Sequence, residues 1–268
     1  MKRVVTGLFL IPVIVYIILY TSAFWILSVA TLITLLALLE FNSLTVLKLR
    51  DRRLDLLGVA FGVLLPPLFY FKGMGAAFPL FIGALFVFFL YSMLTGRELK
   101  DSAVDISFKA LGLLYVALPL SYFPAIREMA NGEWWILFLL AVIWASDTLA
   151  FVGGKLFGKH SLAPAISPKK TVEGALGGLL GAAVAGFLFN RFAPMGMGLK
   201  EVFVLSLSIG FIATIGDLAE SLLKRSAGVK DSGTIIPGHG GILDRIDSIL
   251  FPAPLLYYFL VCQSQWGG

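Results

Sequence analysis

The chain has 268 residues, 59% of them hydrophobic and 14% charged, with a mean hydropathy of +0.93; soluble domains carry about 25% charged residues, so an ordinary soluble globule is excluded. The net charge of +5 does not indicate nucleic acid, because the excess lies in short loops beside apolar runs, where it sets topology and attracts anionic lipid. The single cysteine, Cys262, lies in the last apolar run and excludes an internal disulfide and a cysteine metal cluster.

Crossing a bilayer takes roughly 20 apolar residues as helix. Runs of that kind predict spans near 4 to 20, 23 to 42, 54 to 71, 76 to 95, 104 to 124, 133 to 154, 171 to 190, 201 to 223 and 242 to 262. The expected fold is therefore all-α, a polytopic membrane bundle of about nine transmembrane helices forming one membrane domain over 1–268. Lys2 and Arg3 precede the first run, and Thr21-Ser22-Ala23 is a weak cleavage site, so the first span is expected to be retained. With nine spans, all of the 21 Lys and Arg except Lys72, Arg127, Arg191 and Lys200 fall on one side. The positive-inside rule then puts the N-terminus in the cytoplasm and the C-terminus outside, with the chemistry-bearing loops facing the cytoplasm.

The two halves differ. Residues 1–132 read as hydrophobic scaffold, with Glu40 and Asn42 at the end of the second span their nearest approach to an intramembrane polar group. Residues 133–268 read as the catalytic half, because Asp147, Asp217, Glu220, Asp244 and Asp247 fall within or at the ends of apolar helices. A charged carboxylate at a helix centre costs about 2.5–3.5 kcal/mol on insertion scales, so several together call for a cation or another partner. Gly174, Gly177, Gly178 and Gly181 in the seventh span make two small-xxx-small pairs, which read as helix packing.

Trp144-Ala145-Ser146-Asp147-Thr148 places one acid in the sixth span, as a ligand or as a packing polar residue. Ser167-Pro168-Lys169-Lys170-Thr171 comes immediately before the seventh helix. Free N–H groups at that helix start already favour an anion, although two lysines there also serve as a topology anchor. In Gly216-Asp217-Leu218-Ala219-Glu220-Ser221-Leu222-Leu223-Lys224-Arg225, helical spacing aligns Asp217, Glu220, Ser221 and Lys224 on one face. A seam of paired charges between helices would give the same pattern.

Lys230-Asp231-Ser232-Gly233 and Pro237-Gly238-His239-Gly240-Gly241 are too rich in Gly and Pro to continue a helix. Their main-chain N–H groups can turn toward an anion, with Lys230 and His239 adding charge or hydrogen bonds, though an ordinary connecting loop uses the same residues. Ile242-Leu243-Asp244-Arg245-Ile246-Asp247-Ser248 then opens the last span, with Asp244, Asp247 and Ser248 on one face. Oxygen ligands on rigid helices suit Mg²⁺, which takes one or two carboxylates and completes its shell with water and phosphate oxygens. The helix dipole alone would also favour Asp244 at a helix start.

Taken together, Ser221, Lys224-Arg225, Lys230-Asp231, His239-Gly240-Gly241, Asp244-Arg245 and Asp247 resemble, in order and spacing, the signature of the phosphatidate cytidylyltransferase (CDP-diacylglycerol synthase) family. The Ser167-to-Thr171 and Gly216-Asp217-Leu218 blocks are similar to that family too, and the likeness is strongest from Trp144 to Ser248. It implies an integral membrane nucleotidyltransferase that forms CDP-diacylglycerol and pyrophosphate from CTP and phosphatidic acid with Mg²⁺, leaving room for a second cation. The expected cation ligands are Asp217 and Asp244, then Asp231 and Asp247, with Asp147 also a candidate. Asp217, Asp244, Lys224 and Arg225 form the expected catalytic set. Substrate contacts are expected from Ser167, Lys169, Lys170, Ser221, Lys230, His239, Gly240, Gly241 and Arg245. The expected partners are the two substrates and membrane lipid, with a homo-oligomer open and no nucleic acid.

Two rival classes fit less well. CDP-alcohol phosphotransferases carry an Asp-Gly-x-x-Ala-Arg core, whereas this chain has Asp244-Arg245-Ile246-Asp247-Ser248. A transporter for an anionic metabolite would be expected to show repeated halves with broken helices, and the sequence shows no internal repeat.

Overall fold

The computed structural model describes residues 2–44, 51–95, 99–233 and 240–266. Its elements are α1 (Lys2–Tyr20), α2 (Ala23–Ser43), α3 (Arg52–Lys72), α4 (Met74–Leu94), α5 (Leu99–Gly112), a π-helical turn (Leu113–Ala117), α6 (Leu118–Glu128) and α7 (Gly132–Phe157), a two-stranded hairpin of β1 (Ser161–Ala163) and β2 (Ser167–Thr171), then α8 (Val172–Phe192), α9 (Leu199–Ser226), α10 (Leu243–Leu250) and α11 (Pro252–Trp266). Among the described residues, eight helical runs are long and apolar enough to cross a membrane, and the apolar part of α1, Ile11–Tyr20, is a shorter ninth. Large apolar side chains stand exposed on these helices, among them Phe71, Phe86, Phe151, Phe192 and Phe211, a surface suited to lipid rather than water. The polytopic helical bundle expected from the hydropathy is present, and the protein is an integral membrane protein.

The chain divides into two compact units. The first comprises Met1–Pro12, Thr21–Ala125 and Ser226–Arg245; the second comprises Val13–Tyr20, Ile126–Arg225 and Ile246–Gly268.

In the first unit, Asp51 caps α3 by accepting the N–H groups of Arg53 and Leu54, and it also takes the Tyr91 hydroxyl at 3.1 Å. A side-chain acceptor there satisfies donors that the first turn of a helix leaves unpaired. The core stacks Phe41 on Phe108 with ring centroids 4.5 Å apart, and sets Phe69 edge-on to Tyr122. Lys109, with no exposed side-chain surface, pairs with Asp55 and with Asp105 at 3.3 Å, and donates to the Asn42 side-chain oxygen at 3.2 Å.

The second unit is built on α7 and α8. A Cβ at Gly177 would stand 2.8 Å from the Leu149 carbonyl oxygen, and one at Gly181 would stand 2.6 Å from that of Ala145. The small-residue stripe therefore lets the two helix backbones touch, as its spacing implied. Asn131, in the left-handed conformation before α7, ties down the Pro194 carbonyl at 2.9 Å.

Two local differences from the sequence expectations bear on the site. Ser167–Thr171 forms an antiparallel strand paired with β1, where only a basic run before a helix was expected. Strands this short and exposed leave no apolar alternation to read. The last span, expected to be continuous from 242 to 262, breaks at Phe251 into α10 and α11. Pro252 has no N–H to continue the α10 ladder and disfavours helical geometry in the residue before it.

Candidate active site

Within the second unit, the polar residues converge from four segments. On β2, Lys169 is exposed while Lys170 is half-buried and pairs with Asp217 of α9. The Lys170 side chain is 25% exposed and that of Asp217 34%, so the pair remains open to water. Asp147 of α7 lies within electrostatic reach of Asp217 and Lys170. Asp247 of α10 lies within reach of Asp217, Lys224 and Asp147. Three carboxylates thus face a small number of cations.

Gly216 makes this convergence possible. A Cβ there would stand 2.6 Å from the Asp247 carbonyl oxygen, so only glycine lets α9 approach that backbone next to Asp217. One turn further, Glu220 is fully buried and pairs with Lys224 four residues on. Helical spacing had put Asp217, Glu220, Ser221 and Lys224 on one face; in the structure Lys224 answers Glu220, and Asp217 is answered by Lys170 from the hairpin. Ser221 is half-buried on the same helix. Arg225 reaches back so that its Nε donates to the Ile166 carbonyl at 3.3 Å, tying the end of α9 to the hairpin turn that precedes Ser167.

The hairpin has its own anchors. Thr171 caps α8 by accepting the Gly174 N–H at 3.1 Å, and Glu173 accepts the N–H groups of Lys159 and His160 while meeting the His160 ring at 2.6 Å. These contacts hold Lys169 and Lys170 on an ordered strand.

Within the first unit, Asp244 accepts the N–H of Gly241 at 2.8 Å and that of Ser232 at 3.1 Å through one oxygen. Gly240 has φ +83°, and a Cβ there would stand 2.9 Å from the same Asp244 oxygen, so glycine is required on both counts. Lys230, Asp231 and Arg245 are exposed. His239 lies outside the described residues. Helix α10 carries Asp244 and Arg245 in the first unit and Asp247 in the second.

One residue of this loop region could not have been found from the motif. Glu40 of α2, only 3% exposed, accepts the Leu243 N–H at 2.9 Å and the Ser232 hydroxyl at 3.4 Å. The only sequence signal was an acid at the end of an apolar span, in a half that, contrary to its reading as hydrophobic scaffold, also buries Asp55, Asp105 and Lys109 within its spans.

Among the described residues, no three Asp, Glu, His or Cys side chains close around one point as a complete protein cage for a metal. The donor set of Asp147, Asp217 and Asp247 is all oxygen, and the Asp217 carboxylate already accepts a cationic group, the Lys170 ammonium.

The site thus gathers Asp147, Asp217 and Asp247 around Lys170, with the exposed Lys169 beside it on the same strand, within a membrane bundle. The model of the cytidylyltransferase family matches residues 1–263, and the chain belongs to that family, a family of nucleotidyltransferases. Over 180 residues it is 38% identical to a phosphatidate cytidylyltransferase of Staphylococcus haemolyticus, covering 67% of this chain and 68% of that protein. A phosphatidate cytidylyltransferase of Staphylococcus saprophyticus is 39% identical over 180 residues, and one of Bacillus subtilis is 42% identical over 161 residues, or 60% of each chain.

Proposed function

We propose that this chain transfers the cytidylyl group of CTP to phosphatidic acid, forming CDP-diacylglycerol and pyrophosphate in phospholipid biosynthesis. The observation that carries this is the family match along nearly the whole chain, and the polar cluster on α7, β2, α9 and α10 supplies a place for the chemistry. A phosphate oxygen of phosphatidic acid attacks the α-phosphorus of CTP, the bond to the β-phosphate bridging oxygen breaks in line, and pyrophosphate leaves. No covalent enzyme intermediate forms.

Asp217, with Asp247 or Asp147 of the same cluster, would supply one or two carboxylates to a Mg²⁺ ion; Asp244 and Asp231 are the further candidate acids of the signature, with room left for a second cation. Bound there, the ion would neutralise charge on the phosphates and polarise them. Lys169, Lys170, Lys224, Arg225, Lys230 and Arg245 bind substrate phosphates, as point charges or, for the arginines, as forks. Ser167, Ser221 and the N–H groups around Gly240 and Gly241 add hydrogen bonds, and His239 donates to a phosphate. Pyrophosphate is a stabilised leaving group and needs no proton from the histidine.

The bacterial relatives support an inner-membrane protein, and the distribution of Lys and Arg supports a site on the cytoplasmic face, with the N-terminus inside and the C-terminus outside. CTP then arrives from water and phosphatidic acid from the bilayer. The test is to incubate the purified protein in detergent with CTP, phosphatidic acid and Mg²⁺ and to follow liponucleotide and pyrophosphate. Both should appear in equal amounts; no product across a range of lipid conditions would overturn the assignment.

A further inference from the structure

A buried acid in the supposedly inert half of the chain has a specific seat. Glu40, near the end of α2, would be costly to bury without partners, and the partners it has come from the signature region: the Leu243 N–H at 2.9 Å and the Ser232 hydroxyl at 3.4 Å, both on Oε2. Leu243 is the first residue of α10. A carboxylate there meets both an N–H that the helix cannot use and the positive end of the helix dipole.

The glycines beside it are shaped to the carboxylate. A Cβ at Gly233 would stand 2.6 Å from Oε1 of Glu40, and a Cβ at Gly241 would collide with Oε2. The glycine-rich character of this stretch, which reads in the sequence as a phosphate cradle, is at these two positions accounted for by the approach of Glu40. Ser43, one turn along α2, donates its hydroxyl to the Glu40 carbonyl at 2.6 Å and brings the same oxygen within 3.2 Å of the Ser232 carbonyl.

Ser232 and Gly241 are shared between two acids. The Ser232 hydroxyl goes to Glu40 and its N–H to Asp244; the Gly241 N–H goes to Asp244 while its α-carbon lies against Glu40. The position of the Asp244 carboxylate is therefore set by a loop that Glu40 fixes to α2. Oε1 of Glu40 has no hydrogen-bond partner among the described residues.

We propose that Glu40 is a positioning residue for the reaction: its buried carboxylate locks Ser232, Gly241 and Leu243 in place, and thereby presents Asp244 at the start of α10. The role rests on Asp244 being an essential acid. Displacing a catalytic group by about 1 Å costs on the order of 100-fold, and that is the loss in kcat expected for Glu40→Ala. KM for phosphatidic acid should stay within about threefold, because a positioning loss falls on the transition state rather than on ground-state binding. Glu40→Gln, which keeps an acceptor for Leu243 but not the charge, should fall between Ala and wild type.

The discriminating readout is hydrogen exchange of the full-length protein in detergent. In Glu40→Ala, amides in 232–233 and 240–243 should exchange faster while those of α3 and α5 keep wild-type protection. Ser232→Ala, a smaller change outside the helices, should give a partial kcat loss that does not add to that of Glu40→Gln, as expected for residues in one network. Wild-type kcat in both Glu40 variants, or acceleration spread evenly over α2, α3 and α5, would overturn the proposal. Asp244→Asn is run in parallel. If it keeps full activity, the assignment of Asp244 fails by itself; if it is inactive while the Glu40 variants are not, only the role of Glu40 fails.

Discussion

Two lysine–carboxylate clusters in this molecule look alike as residue lists and differ as chemistry. Lys109 is enclosed, with no exposed side-chain surface, and its ammonium meets Asp55, Asp105 and the Asn42 oxygen. Lys170 is one-quarter exposed and meets one carboxylate, Asp217, with Asp147 and Asp247 also in electrostatic reach of that pair. Lys109 and Asp105 of the first cluster are closed to water, although Asn42 and Asp55 line a cavity of about 330 Å³, and a buried network of this kind holds helices in register. Both clusters hold more acid than resident base; only in the second are the paired side chains, 25% and 34% exposed, within reach of a cation or a cationic ligand from water. Exposure of the paired side chains, rather than the mere presence of ionisable groups in an apolar bundle, separates the structural cluster from the chemical one.

The largest effect that would break this contrast is on turnover. Asp217→Asn keeps the shape of the side chain but removes its charge, and kcat should fall about 1,000-fold, the scale seen when an electrostatic stabiliser of a transition state is lost, with little change in the thermal unfolding midpoint. Lys109→Met should do the reverse. Leaving Asp55 and Asp105 buried without their cation should cost about 3–5 kcal/mol of stability, read as a lower midpoint of unfolding in detergent, while turnover per folded molecule is kept. Gly216→Ala should sharpen the contrast by driving a methyl group against the Asp247 carbonyl; overpacking of this kind costs about 1–3 kcal/mol, and it should lower kcat as well because it separates α9 from Asp247. The smallest effect is expected for Lys170→Met, a rise of about tenfold in KM for CTP, consistent with losing one charge-assisted contact.

How much of this could be read in advance varies with the range of the interaction. The spans were legible because a membrane demands long apolar helices, and the stripe from Gly174 to Gly181 correctly signalled close packing, which involves only helix geometry. The acids of the second half were legible as a cost without a visible partner. Their partners were not. Lys170 meets Asp217 because a short hairpin carries it to α9 while Lys169 stays exposed, and strands this short and exposed leave no apolar pattern in the sequence. Lys224 was aligned with Asp217 by helical spacing, yet Glu220, four residues before it, takes it first. Glu40 was visible as an acid in the scaffold half, but nothing in the sequence connects it to Ser232 or Leu243, because that contact depends on where α2 ends in the fold.

The most direct test of the open cluster is lysine footprinting of the wild-type protein in detergent, with an amine-reactive label and mass spectrometry, with and without CTP and Mg²⁺. Lys169 and Lys170 should be labelled in the free protein and protected by the nucleotide, while Lys109 stays unlabelled in both states. Equal labelling of Lys169 and Lys170 with and without saturating CTP would contradict the assignment of this cluster to the nucleotide phosphates.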